Sequence, residues 1–224
     1  MAKIAVTTIG WNDLANLKVT LDSFHQMNPA FSRDDIFVLD NGSTDGSKEY
    51  LADKGYRYFD EPQNRGIFNA EFQLWRQAVR EGYEYILNLQ SDFPCLRTVP
   101  FTALVEYLER NPEVGYVRLN DKREGNWNLG TNEKVVWQPW EKLTDEFEIA
   151  KMWFHMSFHP YFFRASLVEP LSPAWRNFPE WGKHERAMMR QFGTLRLWGS
   201  RIRPSCFKTL SYDSRKSTTP GWRH

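Results

Sequence analysis

The sequence predicts an α/β fold: a single domain built on a mostly parallel, twisted central sheet flanked by helices. Three observations point there. Runs such as Ile36-Phe37-Val38-Leu39 are apolar on both faces, as in strands covered by helices on either side. Segments of helical period stand between such runs, the alternation that builds a parallel sheet. A chain of 224 residues, 41% hydrophobic and 25% charged, suits one domain with a well-filled core.

Taken in order, Ile4 to Ile9 is a short β-rich run followed by the loop Gly10-Trp11-Asn12-Asp13. Leu14, Leu17, Leu21 and Phe24 then recur at helical spacing, with Asn12 or Asp13 as the N-cap. The strand Ile36–Leu39 opens into Asp40-Asn41-Gly42-Ser43-Thr44-Asp45-Gly46-Ser47, turn chemistry leading into a short helix that Asp45 is expected to cap. Tyr56 to Phe59 is another strand. After the polar stretch Glu61 to Gly66, a helix carries Ile67, Ala70, Leu74 and Ala78 on one face and stops near Gly82. Tyr85 to Leu89 is a buried strand ending at Gln90-Ser91-Asp92, Thr98 to Arg110 a helix and Val114 to Leu119 a strand. From Asn120 the pattern loosens: residues 126–140, rich in Asn, Gly and Trp, read as an excursion from the sheet. Phe158 to Phe163 is expected to return to it, and Trp181 to Phe192 to be helical.

Composition narrows the chemistry. Cys95 and Cys206, the two cysteines, form no metal or redox motif and no disulfide framework. The stretch MAKIAVTTIG turns polar too soon for a signal peptide, and no apolar run reaches membrane-spanning length, so a cytoplasmic protein with no membrane span is expected. From Arg196 onward stand seven basic residues (Arg196, Arg201, Arg203, Lys208, Arg215, Lys216 and Arg223) against Asp213 alone. Of 29 basic and 28 acidic residues, the first 195 positions therefore hold 22 and 27, a balance of −5. Such a basic tail either pairs with phosphates or is simply solvated.

In an open parallel sheet, ligands bind beyond the carboxyl ends of the strands. Three polar clusters fall there: Thr7-Thr8, Asp40, and Gln90-Ser91-Asp92. A carboxylate at Asp40 can accept from a base N–H or a ribose hydroxyl, or serve as an Asx-turn or helix cap. Asp92 offers a hard oxygen suited to Mg²⁺ or Mn²⁺ bridging a diphosphate; the alternative is an ordinary turn residue. His155 and His159 flank Met156-Ser157-Phe158 at i, i+4, but Pro160 and the aromatics around them favour strand and packed histidines over a zinc pair. Trp127, Trp137 and Trp140 form either an acceptor platform or ordinary packing. Glu185 lies in an apolar helical stripe with Trp181, Met188 and Phe192, surroundings that raise a carboxyl pKa as a general base requires. An ion pair with Arg164 or Arg190 is the structural alternative; His184 is the rival base and Glu180 a third.

The segments IAVTTIGWN, FVLDNGSTDGS, NRGIFNAEFQLWRQA and YILNLQSDFP resemble, in type, order and spacing across residues 3–95, the nucleotide-binding half of family 2 glycosyltransferases of the GT-A fold. The resemblance implies that Thr7 and Thr8 line a nucleotide pocket, that Asp40 contacts base or ribose, and that Asn64, Arg65 and Gly66 stand near the sugar-phosphate. Asp92 would be the last member of the family's DxD-type motif and the metal ligand, with Ser91 beside it in the donor site. Gln90-Ser91-Asp92 keeps only the final carboxylate of that motif, so metal binding is expected to be weaker, or absent with cationic side chains in its place. At the stretch matching the family's Glu-Asp pair, Trp181 to Arg186, no such pair stands, and Ser211 to Ser217 lacks the family's late histidine, leaving Asp213 or His224.

The expectation is therefore one GT-A-like domain over residues 1–224. About 1–120 would bind the nucleotide-sugar and about 121–224, with the basic tail, the acceptor. The reaction implied is inverting transfer of a hexose or deoxyhexose from a UDP-sugar to a glycan, protein or small-molecule acceptor, assisted by Mn²⁺ or Mg²⁺. Glu185 or His184 would act as base and Trp127 and Trp137 would contact the acceptor; nucleic acid is not an expected partner. Two other classes remain: a sugar nucleotidyltransferase, against which the lack of an early Gly-rich basic loop counts, and a non-catalytic nucleotide- or sugar-binding module.

Overall fold

The computed structural model describes residues 2–120, 136–153, 159–176 and 184–208. The first half alternates as the sequence predicts: β1 (Ile4–Gly10), α1 (Leu14–Met27), β2 (Ile36–Asp40), α2 (Ser47–Asp53), β3 (Arg57–Asp60), α3 (Ile67–Arg80), β4 (Tyr85–Asn88), α4 (Phe101–Arg110) and β5 (Val114–Arg118). Beyond it lie β6 (Val136–Trp137), β7 (Glu141–Lys142), β8 (Glu148–Trp153), β9 (Tyr161–Arg164), α5 (Val168–Arg176), α6 (His184–Thr194) and β10 (Trp198–Arg203). Among the described residues no helix is long and apolar enough to cross a membrane.

The strands form one sheet in the order β3-β2-β1-β4-β9-β5-β10-β8-β6, with β7 also paired to β8. β3, β2, β1 and β4 are mutually parallel, and β10 is parallel to β5. β9 is inserted antiparallel between β4 and β5, and β8 runs antiparallel to β10, β6 and β7.

Two apolar layers cover this sheet. Val6, Ile36, Val38 and Leu87 face Leu17, Leu21 and Phe24 of α1, Leu51 of α2 and Leu104 and Leu108 of α4. Ala5, Phe37, Leu39, Ile86 and Phe163 face Leu74 and Trp75 of α3, Leu171 of α5 and Met188 and Phe192 of α6. β2 and β4 are buried at every position, which explains why they read as unbroken apolar runs.

Three sequence expectations shift in position. α4 begins at Phe101 rather than Thr98: Pro100 is its N-cap and restricts Val99, while the Thr98 hydroxyl donates to Met27 O (2.9 Å) and Val99 N to Asn28 Oδ1 (3.0 Å). Residues 141–153, read as part of a loosened stretch, supply β7 and β8, which pair back onto the sheet. Arg201 and Arg203, read as part of a basic tail, lie within β10, where both guanidinium groups stack on Trp140 and Arg203 pairs with Glu148 (2.6 Å). Lys208 is described; Asp213, Arg215, Lys216, Arg223 and His224 lie outside the described residues.

Candidate functional site

The register brings the polar clusters to one rim. Gly10 stands opposite Asp40 and Asp40 opposite Asp60, and Leu89 N donates to Thr7 O (2.8 Å). β5 ends at the same rim and β9 begins there, with Leu119 N donating to Pro160 O (2.9 Å).

Asp40 has no exposure, and its two oxygens have different fates. Oδ1 accepts from Ser43 N (2.8 Å), the turn role foreseen as the alternative reading. Oδ2 has no hydrogen-bond partner in the protein, and neither does Thr8 Oγ1, 1% exposed. Strand alternation puts Thr8 and Asp40 on one face, the α1 side, where Val6, Ile36 and Val38 also point. Thr7 therefore points the other way. Its hydroxyl donates to Asn88 Oδ1 (3.1 Å), so the two threonines expected to line one pocket stand on opposite faces.

Side-chain bonds to backbone lace the loops around Asp40. Asn12 N donates to Ser43 Oγ (3.0 Å) and Thr44 N to Asn12 Oδ1 (2.8 Å). Gly46 is the N-cap of the short helix; Asp45, expected there, stands one residue before it and ties two helix starts together, accepting from Ser47 N (3.2 Å) and, at its second oxygen, from Leu14 N of α1 (2.8 Å). The Asp13 side chain, expected as a candidate cap there, instead binds Asn16. Burial works against ionisation of Asp45, but the Ser47 hydroxyl and the Leu14 and Ser47 amides outweigh it and hold its carboxyl below the usual value. Asp13 goes the other way, raised by burial and by the nearby Asp45 charge despite its bond to Asn16.

A second seam joins the Asp40 turn to the segment of Asn64, Arg65 and Gly66. Asn41 Nδ2 donates to Asn64 Oδ1 (2.9 Å), Arg65 N to Asn41 Oδ1 (3.0 Å) and Gly66 N to Asn64 Oδ1 (2.7 Å). The Arg65 guanidinium pairs with Glu61 (3.0 Å). Gly42, at φ +83°, lets the two loops touch: a Cβ there would lie 2.8 Å from the Gln63 backbone.

Ser91 and Asp92 follow β4 on the α1 side, where the Thr20 hydroxyl donates to Ser91 O (2.7 Å). Asp92 is partly exposed. Among the described residues no three His, Cys, Asp or Glu side chains group to hold a metal. The Asp92 carboxylate fits a divalent ion whose remaining ligands are diphosphate oxygens and water, as Mg²⁺-type sites allow.

Gln90 belongs to a network that the sequence reading did not find. Glu71 of α3, with no exposure, accepts at Oε1 from Gln90 Nε2 (2.7 Å) and Asn88 Nδ2 (2.9 Å), and Trp75 Nε1 donates to Asn88 Oδ1 (3.1 Å). The signal was available: Glu71 interrupts the apolar stripe of Ile67, Leu74 and Ala78.

The second half is described less fully. His184 and Glu185 occupy the first turn of α6, but their side chains lie outside the described set. Met188 and Phe192 of the expected stripe are buried; Trp181 and Glu180 lie outside it. A Cβ on Gly115 would meet the Phe192 ring at 2.5 Å, which anchors the far end of α6 near the start of β5 and leaves its first turn as the end further from there. Arg164, offered as an ion partner for Glu185, donates to Val114 O (2.8 Å), Leu108 O and Asn111 O (3.3 Å), capping α4. Trp137 pairs with Met152 through its backbone, its side chain undescribed; Trp127 and His155 lie outside the described residues.

The model of the glycosyl transferase family 2 matches residues 6–171, well over half of the chain. No curated protein sequence matches it. Among solved structures, Staphylococcus aureus TarS 1–349 aligns with a TM-score of 0.60 at 12% identity over 93% of this chain and 60% of that one. The same protein in complex with UDP-GlcNAc aligns at 0.60 and 12%, over 92% and 57%. GalNAc-T7 with UDP, GalNAc and Mn²⁺ aligns at 0.66 and 14%, over 90% and 43%. This chain thus spans about half of the length of these structures, and the likeness is one of fold.

Proposed function

We propose that this chain, which belongs to glycosyl transferase family 2, moves a hexose or deoxyhexose from a UDP-sugar to an acceptor hydroxyl with inversion at C1. The observation that carries the reading is the wholly buried Asp40, whose Oδ2 has no protein partner, with an equally unpartnered Thr8 hydroxyl on the same face of the sheet. An unsatisfied buried acceptor costs about 1–3 kcal/mol, a cost a ligand's N–H or hydroxyl removes. Asp40 is covered, so the turn after it has to shift for a base edge to reach Oδ2. TarS and GalNAc-T7, which share the fold, are solved with UDP-GlcNAc and with UDP and Mn²⁺, ligands of the class such a site would take.

On this reading residues up to about 120 hold the donor and the remainder shapes the acceptor site. Asp40 and Thr8 hold the nucleoside. Asn64, Arg65 and Gly66 line its phosphate side, and Ser91 and Asp92 the diphosphate. Glu185 takes the proton of the acceptor hydroxyl as the acceptor oxygen bonds to C1, and the C1–oxygen bond to the diphosphate breaks, the diphosphate leaving with the electron pair. A divalent ion held by Asp92 would neutralise the charge that develops on that leaving group. His184 is the alternative base, and Trp127 and Trp137 are the acceptor contacts.

The test is incubation with a panel of nucleotide-sugars and Mn²⁺. Slow release of UDP is expected; pyrophosphate-dependent turnover would identify a nucleotidyltransferase, and binding without turnover a non-catalytic module. Asp40→Ala should weaken UDP binding about 10- to 100-fold by calorimetry, the worth of one charge-assisted hydrogen bond. Unchanged affinity removes Asp40 from the site.

A further inference from the structure

Away from the donor rim, a cleft of about 510 Å³ opens where β5 and β10 begin. Its walls include Glu113, Gln138, Trp140, Glu141, Lys151 and Trp198, none of which the reading above uses. Backbone bonds assemble it: Trp198 N donates to Glu113 O (2.7 Å), and Gln138 N to Lys151 O (2.9 Å). β5 starts beside Glu113 and ends at the rim, so its five residues separate the cleft from the rim by about 16 Å.

The walls are held by contacts of their own. Trp198 packs on the layer that contains α1 and α4. The Trp140 indole is engaged by the guanidinium groups of Arg203 and Arg201, 4.1 and 5.4 Å from its centroid. Lys151 Nζ pairs with Glu113 Oε1 (2.6 Å). That bond holds the Glu113 carboxyl below its usual value, so it stays an acceptor. The ammonium carries three N–H groups and spends one of them on the pair.

Charge decides what fits. Arg201 and Arg203 already hold Trp140 and Lys151 stands inside, so a cationic ligand meets like charge. The carboxylates of Glu113 and Glu141 oppose an anion in the same way. A neutral ligand rich in hydroxyl groups escapes both penalties. Indole surfaces suit the C–H face of a sugar ring, and carboxylate, amide and ammonium suit its hydroxyls. The volume is that of a small-molecule site and admits a short oligosaccharide.

We propose that this cleft binds a neutral oligosaccharide, as a carbohydrate site separate from the donor rim. The choice of a glycan among neutral ligands rests on the transfer reading above. Under that reading the cleft holds a saccharide acceptor at a distance from the reacting hydroxyl and raises its local concentration.

The test is titration with cellotetraose, maltotetraose, mannotetraose and chitotetraose, followed in ¹H–¹⁵N spectra. The indole N–H signals of Trp140 and Trp198 are assigned through Trp140→Phe and Trp198→Phe. At least one tetrasaccharide should shift both signals saturably, with or without UDP. Tetragalacturonate and a chitosan tetramer, anionic and cationic, should bind at least about tenfold more weakly; tighter binding of either overturns the inference. Gln138→Ala combined with Glu141→Ala, both exposed, should weaken the neutral oligosaccharide about tenfold and leave UDP affinity within about twofold. An oligosaccharide that moves neither indole, or binds the double variant equally well, sits elsewhere and overturns the inference. So does a protein that binds none of the neutral tetrasaccharides. In each case UDP binding leaves the proposed function standing. A protein that binds an oligosaccharide here but no nucleotide keeps this cleft and loses that function.

Discussion

The two ends of the sheet solve the same burial problem differently. From β3 to β4 the strands are parallel, and the loops after β1, β2 and β3 are tied to one another by side chains bonded to backbone: Asn12 with Ser43 and Thr44, Asp45 with Leu14, Asn41 with Arg65. From β9 onward the sheet turns mixed and aromatic packing takes over. Tyr161, Phe163 and Trp75 meet edge to face, and Tyr116 and Phe192 lie 5.1 Å apart over the space left by Gly115. The first end fixes polar groups in place by directional bonds, which suits recognition of one nucleotide. The second fixes a back layer by shape and leaves its rim to chemistry of another kind. Donor binding and transfer should therefore separate under mutation.

The widest separation is expected at Glu185. Glu185→Gln should cut transfer at least about 100-fold, the usual scale of general-base loss, with UDP affinity nearly intact. Asp92→Ala should abolish metal-stimulated turnover. Normal transfer in Glu185→Gln with loss in His184→Ala would move the base to His184.

Glycine substitutions probe the two kinds of packing at a smaller scale. Gly42→Ala puts a Cβ against the Gln63 backbone at a left-handed φ and should cost about 2 kcal/mol in chemical denaturation, with weaker UDP binding. Gly115→Ala presses on the Phe192 ring and should cost about 1–3 kcal/mol with UDP binding unchanged. Equal effects on UDP would erase the contrast between the two regions.

Asp45 gives the smallest effect and a pH signature. Its carboxyl lies below the ordinary value when folded, so the stability it contributes is in place above the unfolded carboxyl pKa of about 4 and is lost as pH falls through the folded value. Asp45→Asn should cost about 1 kcal/mol near neutrality, the worth of a helix cap, and the gap to wild type should close in acid. A gap independent of pH would mean that the charge of Asp45 does not matter to the two helix starts it ties.

Much of the first half was legible because its signals are local. A strand buried on both faces reads as an apolar run, and its end is marked by polar residues, which is how Asp40 and the cluster Gln90-Ser91-Asp92 stood out. The second half hid its elements for equally local reasons. α5 carries Pro170 and Pro173, β10 carries Gly199 and two arginines, and β7 and β8 mix charge with apolar residues without clean alternation. His159 was legible as a packed histidine, but not as one that meets Asn120 and Arg118, 39 and 41 positions away.

By itself the sequence determined the α/β layering, the succession of the first strands along the chain and the position of carboxylates at their ends, because periodicity and burial act within a few residues along the chain. Which oxygen of Asp40 is spent on the turn, that Thr7 and Thr8 part to opposite faces, that Asp45 ties two helix starts together, and that Arg118 and Asn120 converge on His159 were decided only by the tertiary structure. These depend on strand register and on contacts between segments tens of residues apart, which no local pattern encodes.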